Sequence, residues 1–395
     1  MAEHPKDQPR PFTLVRGGLF YRFERAFRLV RDEPPDPAAR IWGAILITFL
    51  PLVVLAAIQG LLIGSRVTLP LMLDLTIWTR FVIAIPLLLR AERNIDGRLS
   101  SAIHHFRSSG LVPEESRADL EAAIAKTERA RDSLIPEGVL ILGSFVLGWL
   151  NSHAVLTLPV SSWRVLTPGD PFSTTLAGHW LDFVSQPIFN FLVFRWLWRI
   201  VLWTVLLWRI SRLPLSLAPT HPDGAAGLGF MGGIHAVFGA FLVPISASVA
   251  ARGALWVQYG GGSLESFRNG AIAYAVLALL IALGPLLVFM PKLMITKRRA
   301  LLDYNVLALD YTRGFDQKWV RGGRGDEELL GTADIQSLAD LANSFAIVKS
   351  IRILPPSTKN VIPLLSAVVL PMVPFLVFII PIDQILKQLA QLVLR

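Results

Sequence analysis

Seven stretches of this chain are apolar for about the 20 residues that a helix needs to cross the hydrocarbon of a bilayer. They lie at 41–64, 69–89, 138–157, 183–208, 227–256, 271–291 and 361–381. The composition agrees with them. Hydrophobic residues make up 53% of the chain and charged residues 17%, whereas a soluble surface needs about 25% charged residues. With so little charge the chain cannot cover itself in water. Strand signals, internal repeats and low-complexity tracts do not stand out. The expected fold class is therefore all-α: a polytopic membrane helix bundle of about seven spans with cytoplasmic helical insertions.

The polar segments divide the chain. Residues 1–40 form a basic, proline-rich tail without the early apolar run of a signal peptide. Spans 1–2 occupy 41–89, a polar helical insertion fills 90–137, and spans 3–6 occupy 138–291. A second insertion runs over 292–360. The seventh span, 361–381, carries Pro363, Pro371, Pro374 and Pro381, so a re-entrant hairpin is the alternative there. Residues 382–395 place Ile385, Leu386, Leu389 and Leu392 on one stripe and read as an interfacial amphipathic helix.

Net charge is +9, from 38 Lys and Arg against 29 Asp and Glu. On this topology 29 basic residues fall on the side of the tail and the two insertions, and 6 on the other. The positive-inside rule then places the N-terminus and both insertions in the cytoplasm and the C-terminus outside. Membrane-surface charge accounts for the basicity, so nucleic acid is not an expected partner. In the tail, Phe20, Phe23, Phe27 and Val30 recur at helical spacing between Arg22, Arg25, Arg28 and Arg31, the pattern of a helix lying on anionic headgroups. Tryptophans mark the expected boundaries, with Trp42 and Trp208 on the inner side and Trp163, Trp180 and Trp256 on the outer. A homo-oligomer is expected.

The most distinctive string is Thr220-His221-Pro222-Asp223-Gly224-Ala225-Ala226-Gly227-Leu228-Gly229-Phe230. Its His-Pro-Asp lacks the basic soluble helix that precedes this triplet in J-domain co-chaperones. Gly227-x-Gly229-x-x-Gly232 lacks the strand and βαβ unit of a dinucleotide fingerprint. The surviving readings are physical. A glycine-rich turn entering a helix exposes N–H groups that suit an anion, a phosphate headgroup or the carboxylate of Asp223. In the ligand reading His221, Asp223, Gly224, Gly227 and Gly229 form the site. In the packing reading His221 and Asp223 cap the helix, and Gly232, Ala236 and Ala240 form a small-residue row for close helix contact.

This string, together with Thr332-Ala333-Asp334-Ile335-Gln336-Ser337-Leu338-Ala339-Asp340-Leu341 followed by Asn343-Ser344-Phe345, resembles a group of multi-pass inner-membrane proteins of Gram-negative bacteria. The resemblance extends over about 220–381. It implies a bacterial inner (plasma) membrane location and no catalytic activity.

Charges inside the spans are the second candidate. Arg80, Arg195 and Arg199 fall near mid-depth and Asp74 in the outer half of span two. A central charge costs about 2.5–3.5 kcal/mol on insertion scales and needs a partner. Asp74 and Arg80 stand about 240° apart on a helix and cannot pair with each other. The functional reading is a path or pocket for a small anionic solute lined by these residues; the other is buried ion pairs and arginine–tryptophan stacking. The leading expectation is an anion channel or transporter. The alternative is a non-transporting scaffold or sensor that recruits partners or lipids through its cytoplasmic helices. No enzymatic activity, cofactor or metal is expected. The chain has no cysteine, no His-Glu-x-x-His, no Gly-x-Ser-x-Gly and no phosphate-binding loop, and span seven has no lysine for a retinal Schiff base.

Overall fold

The computed structural model describes residues 12–18, 37–156, 158–322 and 331–379. The tail helix expected around 17–32 and the amphipathic helix at 382–395 fall outside those residues. The described chain is helical, with only two isolated single-residue β-bridges, Leu69 to Ser162 and Val165 to Thr174.

Among the described residues nine helical rods follow one another. α1 is Pro37–Ile58. α2 is a continuous rod made of Leu75–Ile77, a π-helical segment Trp78–Ala84 and Ile85–Ser108. α3 is Arg117–Arg131 and α4 Leu134–Leu156. α5 is Leu176–Arg212, α6 Phe230–Tyr259 and α7 Leu264–Val320. α8 is Ala333–Ser350, and α9 is Thr358–Leu376. Six of them, α1, α4, α5, α6, α7 and α9, are long and apolar enough to cross a membrane. Large apolar side chains stand exposed on α1 and α4, Ile58, Ile135, Leu142 and Trp149 among them. Such faces have no place in water on this scale; the protein is a multi-pass membrane protein.

The expected second span is the exception among the seven. Pro70 and an extended Asp74 hold 69–74 out of the helix, and Asp74 caps α2 by accepting from the Thr76 amide at 2.9 Å. The first 18 residues of α2 carry Arg80, Arg90 and Glu92. α2 nevertheless runs beside α5 in register. Arg80 meets Gln186, Trp196 meets the Leu88 carbonyl, Arg199 meets Glu92, and the Ser216 amide bonds the Leu111 carbonyl. The residue offset stays near constant, so the two rods are parallel. The loop before α2 also joins the loop before α5, through Leu69 with Ser161 and Trp163. α2 therefore covers the same distance as α5.

Prolines shape these rods in a readable way. Pro51 cannot donate to the Ile47 carbonyl, and that carbonyl accepts instead from Trp180 Nε1 at 3.1 Å. Pro86 and Pro187 each follow immediately upon a wide π turn, Trp78–Ala84 and Leu181–Ser185, where the missing N–H leaves the regular ladder incomplete. Pro244 sits inside α6, which stays continuous and tightens to a 3₁₀ turn at Ala236–Phe238.

The core lies between α2, α5 and α6, around Phe81, Phe106, Trp203, Phe238 and Phe289. α4 packs antiparallel on α5, with Asn190 Nδ2 donating to the Ser144 carbonyl at 3.0 Å. α6 pairs with α7 through Ser246 and Tyr274. It meets α9 at glycines, since a Cβ at Gly232 would stand 2.6 Å from Asn360 Oδ1 and one at Gly239 3.3 Å from Ala367 Cβ. The close contact thus includes Gly232 and Gly239, one heptad apart; Gly232 also belongs to the expected Gly232, Ala236, Ala240 row.

Beyond the bundle α7 continues as one long rod and α8 folds back along it. Ala300, Val348 and Ile351 form their common core, with Leu301 and Tyr304 against it. Lys318 Nζ and Trp319 Nε1 both donate to Asp334, at 3.0 and 2.9 Å, and close the tip. On the same side residues 12–18 dock on α2 and α3. Phe12 and Leu14 are buried, and Asp96 accepts from Thr13 Oγ1 and the Leu14 amide at 2.6 and 2.8 Å. Trp163, expected at a headgroup boundary, is buried instead.

Candidate functional site

The intramembrane charges separate into three places. The first is centred on Glu92, the first residue after Ala91 on the inward face of α2. Arg199 Nη1 donates to Glu92 Oε1 at 2.8 Å and Arg40 Nη1 to Oε2 at 2.6 Å. Arg195 Nη1 lies 3.8 Å from Oε1. Arg195 and Arg199 are four residues apart on α5 and so present one face. All four side chains are buried. The indole of Trp196 covers the Arg199 guanidinium at 4.9 Å. Three guanidiniums around one carboxylate leave an excess of positive charge, and Arg199 Nη2 is buried without a hydrogen-bond partner.

The second place is at the π turns. Arg80 Nη1 donates to Gln186 Oε1 at 2.8 Å, Gln186 Nε2 to Asn190 Oδ1 at 2.7 Å, and Asn190 Nδ2 to the Ser144 carbonyl. This polar chain ties α2, α5 and α4. Arg80 is thus held by this polar chain, and Arg195 and Arg199 stand at Glu92.

The third is at the far end. Asp74 accepts from Trp163 Nε1 at 3.0 Å and from Thr76 Oγ1 at 2.6 Å. Its hydrogen-bond partner outside α2 is thus a tryptophan N–H of the loop before α5. Arg164 takes Asp182 and Ser152 as its partners.

The glycine-rich loop between α5 and α6 is filled by its own carboxylate. Asp223 accepts from the amides of Ala225, Gly227 and Gly229 at 2.8, 3.2 and 2.7 Å. His221 Nδ1 stands 3.1 Å from Asp223 Oδ1. Burial works to raise the Asp223 carboxyl, but the Ala225, Gly229 and Gly227 amides and the His221 ring outweigh it and hold it below the ordinary carboxylate range. Gly224 and Gly227 have φ of +61° and +96°, and a Cβ at Gly229 would strike Asp223. Arg352 locks the turn from the chain after α8, donating to the Asp223 carbonyl at 2.7 Å. The amides that would hold an anion are occupied.

His235 is buried between α5 and α7. It accepts from Trp203 Nε1 at 2.9 Å on Nε2 and donates through Nδ1 to the Ala282 carbonyl at 2.8 Å. Both ring nitrogens are used. Among the described residues no group of three His, Asp or Glu side chains is placed to hold a metal ion.

Glu92 and Arg40 are the residues that sequence reasoning missed. Each borders an apolar stretch, Arg40 just before 41–64 and Glu92 just after 69–89, and was assigned to a cytoplasmic segment. The available signal was three charges, Arg90, Glu92 and Arg93, within one turn and a half of continuing helical pattern. In comparisons with known proteins the chain matches no family model, no curated protein and no solved structure.

Proposed function

We propose that this is a non-transporting membrane scaffold or sensor of the bacterial inner membrane, with its N-terminus and the α7–α8 hairpin in the cytoplasm. The observation that carries this reading is the convergence of Arg40, Arg195 and Arg199 on Glu92. Arginines that serve a solute path have to face water; these are spent on a buried carboxylate that joins α1, α2 and α5. The proposed working surface is the outer face of α7, where Ile295, Leu302, Val306 and Leu309 stand exposed along one helical stripe. Kinship with the Gram-negative inner-membrane group is part of the same proposal and supplies its location.

Anion transport is the second reading. The excess positive charge around Glu92 and the free Arg199 Nη2 favour it. Liposome reconstitution separates the two. A scaffold gives chloride and phosphate fluxes equal to those of protein-free vesicles. Glu92→Gln then leaves three buried guanidiniums without a counter-charge and should cost about 3–5 kcal/mol of stability. Flux above background that Arg195→Gln abolishes, in a protein that still melts normally, would sink the scaffold reading.

A further inference from the structure

Between α1, α2 and α6, at the basic end of the bundle, opens a cavity of about 1110 Å³. Arg90, Arg93 and Arg98 line it from one face of α2, and Leu87, Ala240 and Val243 supply apolar wall. Arg90 follows directly on the apolar stretch 69–89, and Pro37 at the rim opens α1. The cavity thus lies where hydrocarbon gives way to headgroups.

The three arginines have no hydrogen bond or ion pair among the described residues. Four other arginines of this surface are paired, Arg107 with Glu121, Arg117 with Glu114, Arg131 with Asp132 and Arg321 with Asp316. The acids nearest along α2 are turned away, Glu92 to Arg40 and Arg199, and Asp96 to Thr13 and Leu14. Among the described residues no carboxylate lines the cavity. Unpaired guanidiniums on a concave wall concentrate positive potential. Their planar forks match phosphate oxygens bidentately. The apolar wall beside them matches an acyl chain.

We propose that this cavity binds a phosphate group, carried by an anionic phospholipid of the leaflet on the basic side. The assignment does not depend on whether the protein transports. The test uses the full chain purified in neutral detergent. Short-chain phosphatidylglycerol, short-chain phosphatidylcholine and inorganic phosphate are titrated separately, with binding read by thermal shift and native mass spectrometry.

Phosphatidylglycerol should bind at least tenfold more tightly than phosphatidylcholine. Combined Arg90→Gln, Arg93→Gln and Arg98→Gln should reduce its binding at least tenfold. The same change at the exposed Arg117, Arg268 and Arg299 should leave it intact. If the triple variant fails to purify, Arg93→Gln alone is read the same way, with at least a threefold loss. Equal binding of the two lipids, or undiminished phosphatidylglycerol binding by the cavity variants, would overturn the site. Inorganic phosphate binding as tightly as phosphatidylglycerol would overturn the lipid assignment and leave a soluble phosphate as the ligand.

Discussion

At Asp223 one carboxylate satisfies three amides of the glycine-rich turn that leads into α6, not the first-turn amides of the helix that a cap would take, and this sets both a stability and a pH dependence. Its carboxyl is held below the ordinary range. A group depressed in the folded state contributes fully above its unfolded value, near pH 4, and loses that contribution as pH falls through the folded value. Asp223→Ala should therefore lower stability by about 1.5–3 kcal/mol at neutral pH, the usual worth of hydrogen bonds to a charged group. The gap between variant and parent should narrow as the medium is taken below pH 4. Melting curves in detergent at three pH values check this, and an unchanged melt at neutral pH would show that the carboxylate does not hold the turn. This residue was legible in the sequence because its carboxylate acts on amides two, four and six positions away. Glu92 was not. Its partners lie 52 and 107 residues distant, and a charge read along the chain carries no sign that three arginines await it.

Elements show the same division between local and distant causes. The π turns of α2 and α5 precede prolines, and the tip of the α7–α8 hairpin follows a glycine, so their positions are written locally. The face by which α6 meets α9 is not. Small residues recur along α6, and only the partner decides which of them is used. Gly232 is, because Asn360 and the backbone of Pro356 press against it. Asn360 is itself held by Ser357, whose amide and hydroxyl donate to its Oδ1 at 3.0 and 2.9 Å. A methyl at Gly232 would stand 2.8 Å from Pro356 Cα, which is backbone and cannot swing aside. Gly232→Ala should cost about 1–3 kcal/mol, the usual penalty of overpacking. Gly233→Ala, whose Cβ would meet only Asn360 Nδ2 at 4.0 Å, should be close to neutral. The two melts side by side test the contact; equal losses would mean that helix propensity, not the α9 contact, governs this stretch.

For the whole molecule the number of crossings turns on α2. By composition it fails as a span, since Arg80, Arg90 and Glu92 fall in its first 18 residues. By geometry it lies parallel to α5, from the loop that joins Leu69 to Trp163 at one end to the bond between Leu111 and Ser216 at the other. A rod that shares both end levels with a spanning helix crosses when that helix crosses. Its charges are tolerable because Gln186 takes Arg80 and two arginines hydrogen-bond Glu92; hydropathy along one chain counts each as unpaired. Seven crossings are then the prediction, α1, α2, α4, α5, α6, α7 and α9; α9 runs parallel to α6 through the Gly232 and Gly239 contacts. With the basic side inside, cysteines introduced into this cysteine-free chain give a direct reading. Ser65→Cys and Ser263→Cys should react with an impermeant maleimide from outside intact cells. Ser109→Cys and Ser350→Cys should react only after the membrane is opened. Labelling of Ser109→Cys from outside, with Ser350→Cys protected, would mean that α2 does not cross in the direction that its pairing with α5 requires.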